Sequence, residues 1–494
     1  MIFAVIVVVN VVSDRFFFRI DLTADQRYTL SNATENILEN LDEPVTVTAY
    51  FTEDLPANLI KTRRDFKDLL VEYNNASGGK VVYEFIDPAE DQQLEQKAMQ
   101  SGVQPILVSA REKDQVKQQK AYLGAVLQKG DQADAIPVIQ PGAAMEYALS
   151  SAIKKMSVSV KPRVGFVTGH GEPSLAAYRQ AYEPLNVLYQ VEELDLDRAG
   201  NINDFETLVI NGPTDTIPEE HFRILDEFLA GGGKLYIGYN KVEGNMNQAR
   251  GSSINSNFED WLSEKGITID NAFIVDANCI TVGVRQQQGN MTFTTPMQFP
   301  YIPKTSSFVE HPITRGLEEV MLPFVSPVNY TGDTAGIKFK PILLSSENSG
   351  TLTPPLMFSV DKRWTKSDFP LDNLSMGAVV EGDVVGGGNF SKMVVMGDAD
   401  FAVSGEGQQA QRLGEDNVNL MVNAIDWLSD DTGLIELRTK GVTSRPLDQV
   451  EDAEKALLKW MNFLLPIILI IIYGIIRMQR NRNLRTKRME EDYV

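Results

Sequence analysis

Near the C-terminus, Trp460 to Ile476 (WMNFLLPIILIIIYGII) runs for 17 residues without a charged side chain. At about 1.5 Å per residue a helix of that length covers roughly 25 Å, and extending it back through Leu457 and Leu458 reaches the roughly 30 Å of a bilayer's hydrocarbon core. The core helix of a globular domain is apolar along one stripe, whereas this segment is apolar all round. It predicts a membrane helix over 456–477, with Trp460 and Tyr473 at the interfaces and the lipid bilayer as its partner. Six basic residues follow (Arg477, Arg480, Arg482, Arg485, Lys487, Arg488) against three acidic ones (Glu490, Glu491, Asp492). Such a cluster holds its end in the cytoplasm, so the tail 478–494 is expected inside.

Ile2 to Val12 (IFAVIVVVNVV) is equally apolar but only 11 residues long, too short to span alone. No basic region precedes it and no A-x-A-like cleavage site follows, which argues against a complete signal peptide. It reads as the distal part of a first transmembrane anchor over 1–20, either continuing through Phe16, Phe17 and Phe18 or lacking residues upstream. Arg15 and Arg19 fall on the outer side, where the C-terminal cluster outweighs them. The expected layout is anchor, a long region outside the cytoplasm (21 to 455), anchor and basic tail.

With Lys+Arg 46 against Asp+Glu 67 and a net charge of −21, the chain lacks the cationic face a nucleic-acid partner requires. A hydrophobic content of 43% supports large cores. The single cysteine, Cys279, excludes an internal disulfide and the paired spacings of zinc or CxxC redox sites.

Between the anchors the fold class reads as α/β. Ser31 is placed to cap a helix. Val45, Val47, Ala49 and Phe51 alternate with polar residues as a strand does, a helix follows, and Lys80–Ile86 is a second strand. With a helix near Glu90–Ser101 and a strand at Pro105–Val108, this makes a βαβαβ unit whose order resembles a thioredoxin-like fold. A hairpin over Tyr122–Leu127 and Ala135–Ile139, and a helix with Met145, Leu149, Ile153 and Met156 on one face, complete a first domain over 21–158. A second domain, 159–438, alternates strands and helices from Arg163–Thr168 onward, the rhythm of a doubly wound parallel sheet. The Gln-, Thr-, Pro- and Gly-rich stretch at about 279–370 reads as a β-rich insertion, and 439–455 as a polar linker.

Candidate chemistry is sparse. TGHGE places Gly169, His170, Gly171 and Glu172 at a strand's carboxyl end, where open α/β sheets bind ligands; the same residues also suit a glycine-permitted turn with Glu172 at a helix start. Asp398 in GDADF could face a ligand or cation after a strand, or cap the next helix together with Asp400. Gly231 to Gly233 reads as a helix C-cap. There is no GxxxxGK[ST] phosphate loop and no HExxH, and Cys279 lies outside any nucleophile elbow. No catalytic, cofactor-binding or metal-ligating residue is nominated. In the membrane helix, Trp460, Asn462, Pro466 and Gly474 are candidates for contact with lipid or a partner helix.

DLTADQRYTLS, EPVTVTAYFTEDLP, VGFVTGHGEPS, VINGPTDTIPEEHFRILDEFLAGGGKLYIGYN, HPITRGL and VVMGDADF, followed by a C-terminal membrane helix, resemble the GldG family. These are auxiliary, nominally substrate-binding subunits of an ABC transporter associated with gliding motility. The resemblance implies a bacterial inner-membrane protein with a large periplasmic region, containing a domain similar to class I glutamine amidotransferases without their catalytic cysteine. It also implies an ABC permease subunit as partner and, through it, a cytoplasmic ATPase. The chain is thus expected to be a non-enzymatic auxiliary subunit. A cell-envelope scaffold without a small ligand and an amidotransferase-like hydrolase are the alternatives.

Overall fold

The alternation at Val45, Val47, Ala49 and Phe51 becomes strand β1 (Val45–Phe51), with all four side chains fully buried. The structure, a computed structural model, describes residues 29–430 and 452–491 apart from positions 54, 56, 113–114, 140–143, 158–160, 199, 289–290, 334–335, 360–361 and 408–409. The expected first anchor over 1–20 and most of the linker 439–455 lie outside the described residues. Two compact units make up the chain, Met1–Thr443 and Ser444–Val494.

The first unit opens with α1 (Asn32–Glu39), capped as expected by Ser31, whose hydroxyl accepts the Thr34 amide at 3.2 Å. After β1 come α2 (Ala57–Ala76), β2 (Val81–Ile86), α3 (Gln92–Gln100), β3 (Ile106–Glu112), β4 (Gln115–Ala121), β5 (Leu123–Lys129), β6 (Gln132–Ile136) and α4 (Ala144–Ser157). A four-stranded sheet has the order β2–β1–β5–β6, with β1 parallel to β2 and the β5–β6 hairpin antiparallel. The third strand of the expected βαβαβ unit does not join it: among the described residues β3 pairs with β4 alone, in a separate ribbon. The reason lies in composition. The ribbon is mostly charged and polar, and Leu107 is 74% exposed, whereas Leu123, Ala125 and Leu127 of β5 bring an apolar face to the place beside β1. Phe66, Leu70 and Tyr73 of α2 and Met145, Leu149, Ile153 and Met156 of α4 close over that sheet.

An eight-stranded sheet follows, built from β7 (Arg163–Thr168), β8 (Gln190–Asp195), β9 (Phe205–Asn211) and β10 (Lys234–Gly238), then, beyond the hairpin β11 (Cys279–Gln288) and β12 (Met291–Thr305), from β13 (Ser307–Phe308), β14 (Ile337–Leu344), β15 (Ser375–Gly382) and β16 (Ser391–Met396). Its order is β13–β14–β15–β16–β10–β9–β7–β8. The strands from β16 to β8 run parallel, while β15, β14 and β13 pair antiparallel. The expected all-parallel sheet is therefore mixed. Helices cover both faces, as double winding requires: α5 (Arg179–Leu188) and α8 (Glu415–Ser429) pack on one, α6 (Glu219–Ala230) and α7 (Phe258–Glu264) on the other.

The stretch at 279–370 is β-rich but is not set apart from the sheet. Strand β14 lies inside it and buries Ile342 and Leu343 in the main core. Outside the large sheet stands, among other short pairings, the β11–β12 hairpin, whose Phe299 and Tyr301 join Phe273, Phe324 and Phe358 in a cluster of aromatic rings. Lys154 of α4 pairs with Asp430 after α8 at 2.6 Å, with Asp430 fully enclosed, and so joins the two sheet systems.

In the second unit, α9 (Asp452–Glu491) is a single 40-residue helix with Pro466 inside it. Lys459–Arg485 is long and apolar enough to cross a membrane, and none of its apolar window is buried within the protein. The helix continues beyond the expected span 456–477 into the basic tail.

Candidate functional site

The carboxyl ends of parallel strands collect at one edge of a sheet, and the place where successive connections leave to opposite faces forms the crevice in which such folds bind ligands. Here β7 leads through α5 to its outer neighbour β8, the chain returns across β7 to β9, and α6 then packs on the other face. That switch point lies between β7 and β9, and the TGHGE loop sits at it.

The loop is tied shut against the turn after β9. The His170 carbonyl accepts the amides of Thr214 and Asp215 at 3.0 and 2.9 Å. Gly169 and Gly171 both have positive φ, +113° and +88°. A Cβ at Gly171 would stand 2.1 Å from Thr214 Oγ1, so only glycine permits this approach.

The His170 side chain is buried and enters a chain of four groups. Its Nδ1 lies 3.0 Å from Glu172 Oε1, its Nε2 lies 2.8 Å from His221 Nδ1, and His221 Nε2 lies 3.0 Å from Asp197 Oδ1. Glu172 Oε2 also accepts the His170 amide at 2.7 Å. Glu172 and both imidazoles are enclosed, while Asp197 opens to solvent. Two neutral imidazoles carry one N–H each, leaving two protons for three contacts. The arrangement fastens the β7 loop to the first turn of α6.

Beside it lies a second buried polar group. Asp398 is fully buried; its Oδ1 accepts the Asp400 amide at 2.7 Å, and its Oδ2 has no hydrogen-bond partner among the described residues. Burial, then the neighbouring Asp400, raises its carboxyl well above the ordinary aspartate range, and burial raises Asp400 as well. The pair does not cap a helix, since the next one, α8, starts only at Glu415 behind Gly414. Asn211, at the end of β9, donates to Tyr178 Oη and the Ala399 carbonyl, each at 2.8 Å. Asn240 donates to Asp400 Oδ2 at 3.0 Å and accepts the Ala399 amide at 2.7 Å. Asn211 Oδ1 and Tyr236 Oη have no partners among the described residues.

An open groove of about 530 Å³ runs beside α5, lined by Arg179, Gln180, Ser404, Gly405, Gln411 and Arg412 among others. Neither the TGHGE loop nor Asp398 lines it. No group of three or more His, Cys, Asp or Glu residues fit to hold a metal ion occurs among the described residues. Cys279 opens the β11 hairpin, and burial pushes its thiol up. His311 joins neither buried group; its ring stands 5.1 Å from that of Trp427. In α9, Trp460 is exposed, and Gly474 lies in a groove with Arg477, Met478, Asn481, Arg482 and Arg485. Asn462 and Pro466 lie within the apolar run.

His221, Asn211, Tyr178, Tyr236 and Asn240 were not nominated from the sequence. His221 lies 51 residues from His170, and only the strand order reveals that the first turn of α6 faces the loop after β7.

Residues 161–429 match the family described as an ABC-type uncharacterized transport system, an ABC transporter auxiliary domain. The chain belongs to this family. Ahead of that match, residues 24–128 match a domain of unknown function, DUF7088. A relative from Borreliella burgdorferi, an uncharacterized protein, is 22% identical over 94% of this chain and 94% of its own length. Among solved structures, the mmIFT52 N-terminal domain is 16% identical with a TM-score of 0.36, over 55% of this chain and 98% of its own. A ThuA-like protein from Parabacteroides merdae is 11% identical with a TM-score of 0.28, over 58% and 94%. Family membership gives the chain a transport-associated role, with other transporter components as its associates.

Proposed function

We propose that this chain is a non-catalytic, GldG-like auxiliary subunit of an ABC-type transporter complex, anchored in a bacterial inner membrane by α9. Its large α/β unit stands in the periplasm and its basic tail in the cytoplasm. The observation that carries this reading is the unburied apolar window within Lys459–Arg485 on a chain of the transport family: an apolar helix with no protein around it needs lipid or a partner helix. The sequence holds no Walker A loop, so the driving energy comes from a cytoplasmic ATPase coupled through a permease. Gliding motility follows from the GldG resemblance.

We divide the outer region into a thioredoxin-like domain over 21–158 and an amidotransferase-like domain over 159–438. The parallel β1–β2 pair with an antiparallel β5–β6 hairpin supports the first assignment, and the parallel strands with helices on both faces support the second. His170 and Glu172 turn their side chains into the buried hydrogen-bonded chain with His221, which supports a structural, non-catalytic role for the TGHGE loop. The sealing of that loop on Thr214 and Asp215 favours a second reading, in which the outer surface binds protein and takes no small ligand.

The test replaces Trp460–Ile476 with a Leu/Ala span of equal length. A plain span satisfies the bilayer but removes Asn462, Pro466 and Gly474, which supply polar contact, a kink and close approach. The variant is expected to stay in the membrane and to lose the permease on purification from native membranes. An unchanged share of permease would assign assembly to the outer domains or the N-terminal segment.

A further inference from the structure

Three buried polar atoms at the carboxyl edge of the large sheet have no hydrogen-bond partner among the described residues: Asn211 Oδ1 at the end of β9, Tyr236 Oη on β10 and Asp398 Oδ2 just beyond β16. The three strands are neighbours in the order β16–β10–β9, and Asn211 and Met396 are both register partners of Gly238. Tyr236 shares a face of β10 with Gly238, because alternate residues of a strand point to the same side. Over that glycine stands Asn211 Oδ1, 1.9 Å from the place a Cβ would take, with Ala399 Cα 3.2 Å from the same point. Asp398 directly precedes Ala399. After burial, the neighbours that raise the Tyr236 phenol are Tyr178, whose hydroxyl accepts the Asn211 amide, and Asp398. Tyr236, Tyr178 and Met396 belong to the core packed beneath α5 and α8. The orphaned atoms thus gather around one enclosed place at the ends of adjacent strands.

We propose that a single ordered water molecule is bound there as a fixed part of the fold, hydrogen-bonded to Asn211 Oδ1, Tyr236 Oη and Asp398 Oδ2. A polar atom buried without a partner gives up its hydration and gains nothing in exchange. Water offers two donors and two lone pairs, so it meets all three atoms whether the Asp398 carboxyl is protonated or ionised. About three such bonds are what a buried water ordinarily makes. A cation would accept lone pairs only and would leave the Tyr236 hydroxyl hydrogen without an acceptor. None of the three residues lines the open groove beside α5, so the place is not an extension of that groove. The seat lies wholly within the first unit and is independent of the membrane helix.

The full-length chain, purified in detergent, gives two readouts. A crystallographic or cryo-EM map that resolves ordered solvent is expected to show one peak within hydrogen-bond distance of all three atoms. Asp398→Asn should keep that peak, because its amide still offers the water a partner. Tyr236→Phe removes the hydroxyl and leaves the ring, and the sign of its effect is diagnostic. With the water bound, a hydrogen bond is lost and the melting temperature falls by about 2–4 °C. A dry, unpaired hydroxyl would instead burden the wild type, and its removal would leave the melting temperature unchanged or raise it. No peak at that place, a Tyr236→Phe melting temperature at or above wild type, or loss of the peak in Asp398→Asn would each overturn the proposal, the last by assigning the place to a cation.

Discussion

Burial, with the neighbouring Asp400 behind it, holds the Asp398 carboxyl well above the usual aspartate range, and its Oδ2 has no hydrogen-bond partner among the described residues. An acid whose folded pKa lies above its unfolded value of about 3.9 contributes stability at low pH that is lost as pH rises through that value toward the folded one. Asp398→Asn keeps an oxygen for the Asp400 amide and removes the ionisation. At pH 7 the variant is expected to melt at or above wild type, by about 2–4 °C per kcal/mol gained, with the difference shrinking toward pH 4. A fall in melting temperature at pH 7 would mean that the ionised carboxylate is held by a partner. His311 titrates in the opposite sense. Burial, with Lys340, Lys338 and Lys392 behind it, lowers its imidazole to about 4. The neutral form is favoured in the fold, so its contribution is complete above the unfolded value of about 6.5 and is lost as pH falls toward about 4. His311→Asn should flatten the pH dependence of unfolding across that window, as followed by denaturant titration at several pH values. An unchanged slope would rule His311 out as the group responsible.

Between elements, the junction of the β7 loop with α6 and the turn after β9 depends on small groups at fixed distances. Gly171→Ala adds a Cβ 2.1 Å from Thr214 Oγ1 on a backbone with φ of +88°, which costs about 1–3 kcal/mol through strain alone. His221→Ala leaves the buried His170 Nε2 without its partner and costs a further ~1–3 kcal/mol on its own account. Hydrogen exchange at residues 169–172 and 214–215 reports both, because opening this junction frees the amides of Thr214 and Asp215. Faster exchange is expected at these positions in each variant while the β1–β2 pair stays protected. Uniform acceleration across the whole unit would show that the junction is not a separate cooperative element.

Across the whole molecule the proposed topology rests on charge at one end of one helix. In a Cys279→Ser background, which removes the single native thiol, Asn247→Cys places a label on an exposed turn of the first unit and Asn483→Cys places one in the basic tail. A membrane-impermeant maleimide is expected to label Cys at 247 in cells whose outer membrane alone is permeable, and to reach the tail position only after the inner membrane is breached. The reverse pattern would invert the orientation.

Local pattern sufficed for much of this protein. The 17-residue apolar run has no stable place in water outside a core. The alternation in β1, the face of α4 and the Ser31 cap are each properties of a few adjacent residues, and each is found as read. The strand–helix rhythm after Arg163 likewise gave helices on both faces of a sheet. Tertiary structure decided whatever depends on partners far apart in the chain. Pro105–Val108 has strand-forming residues, yet β5 outcompetes it for the edge of β1 because β5 carries the apolar face. Strand β14 reads as part of an insertion, yet it completes the large sheet because Ile342 and Leu343 fill that core. His170 shows nothing in the sequence of its contact with His221, since side chains 51 positions apart meet only through the order of the strands between them. Asp398 becomes a raised, enclosed acid for the same reason: burial is a property of the assembled fold, and five letters of sequence around an aspartate do not contain it.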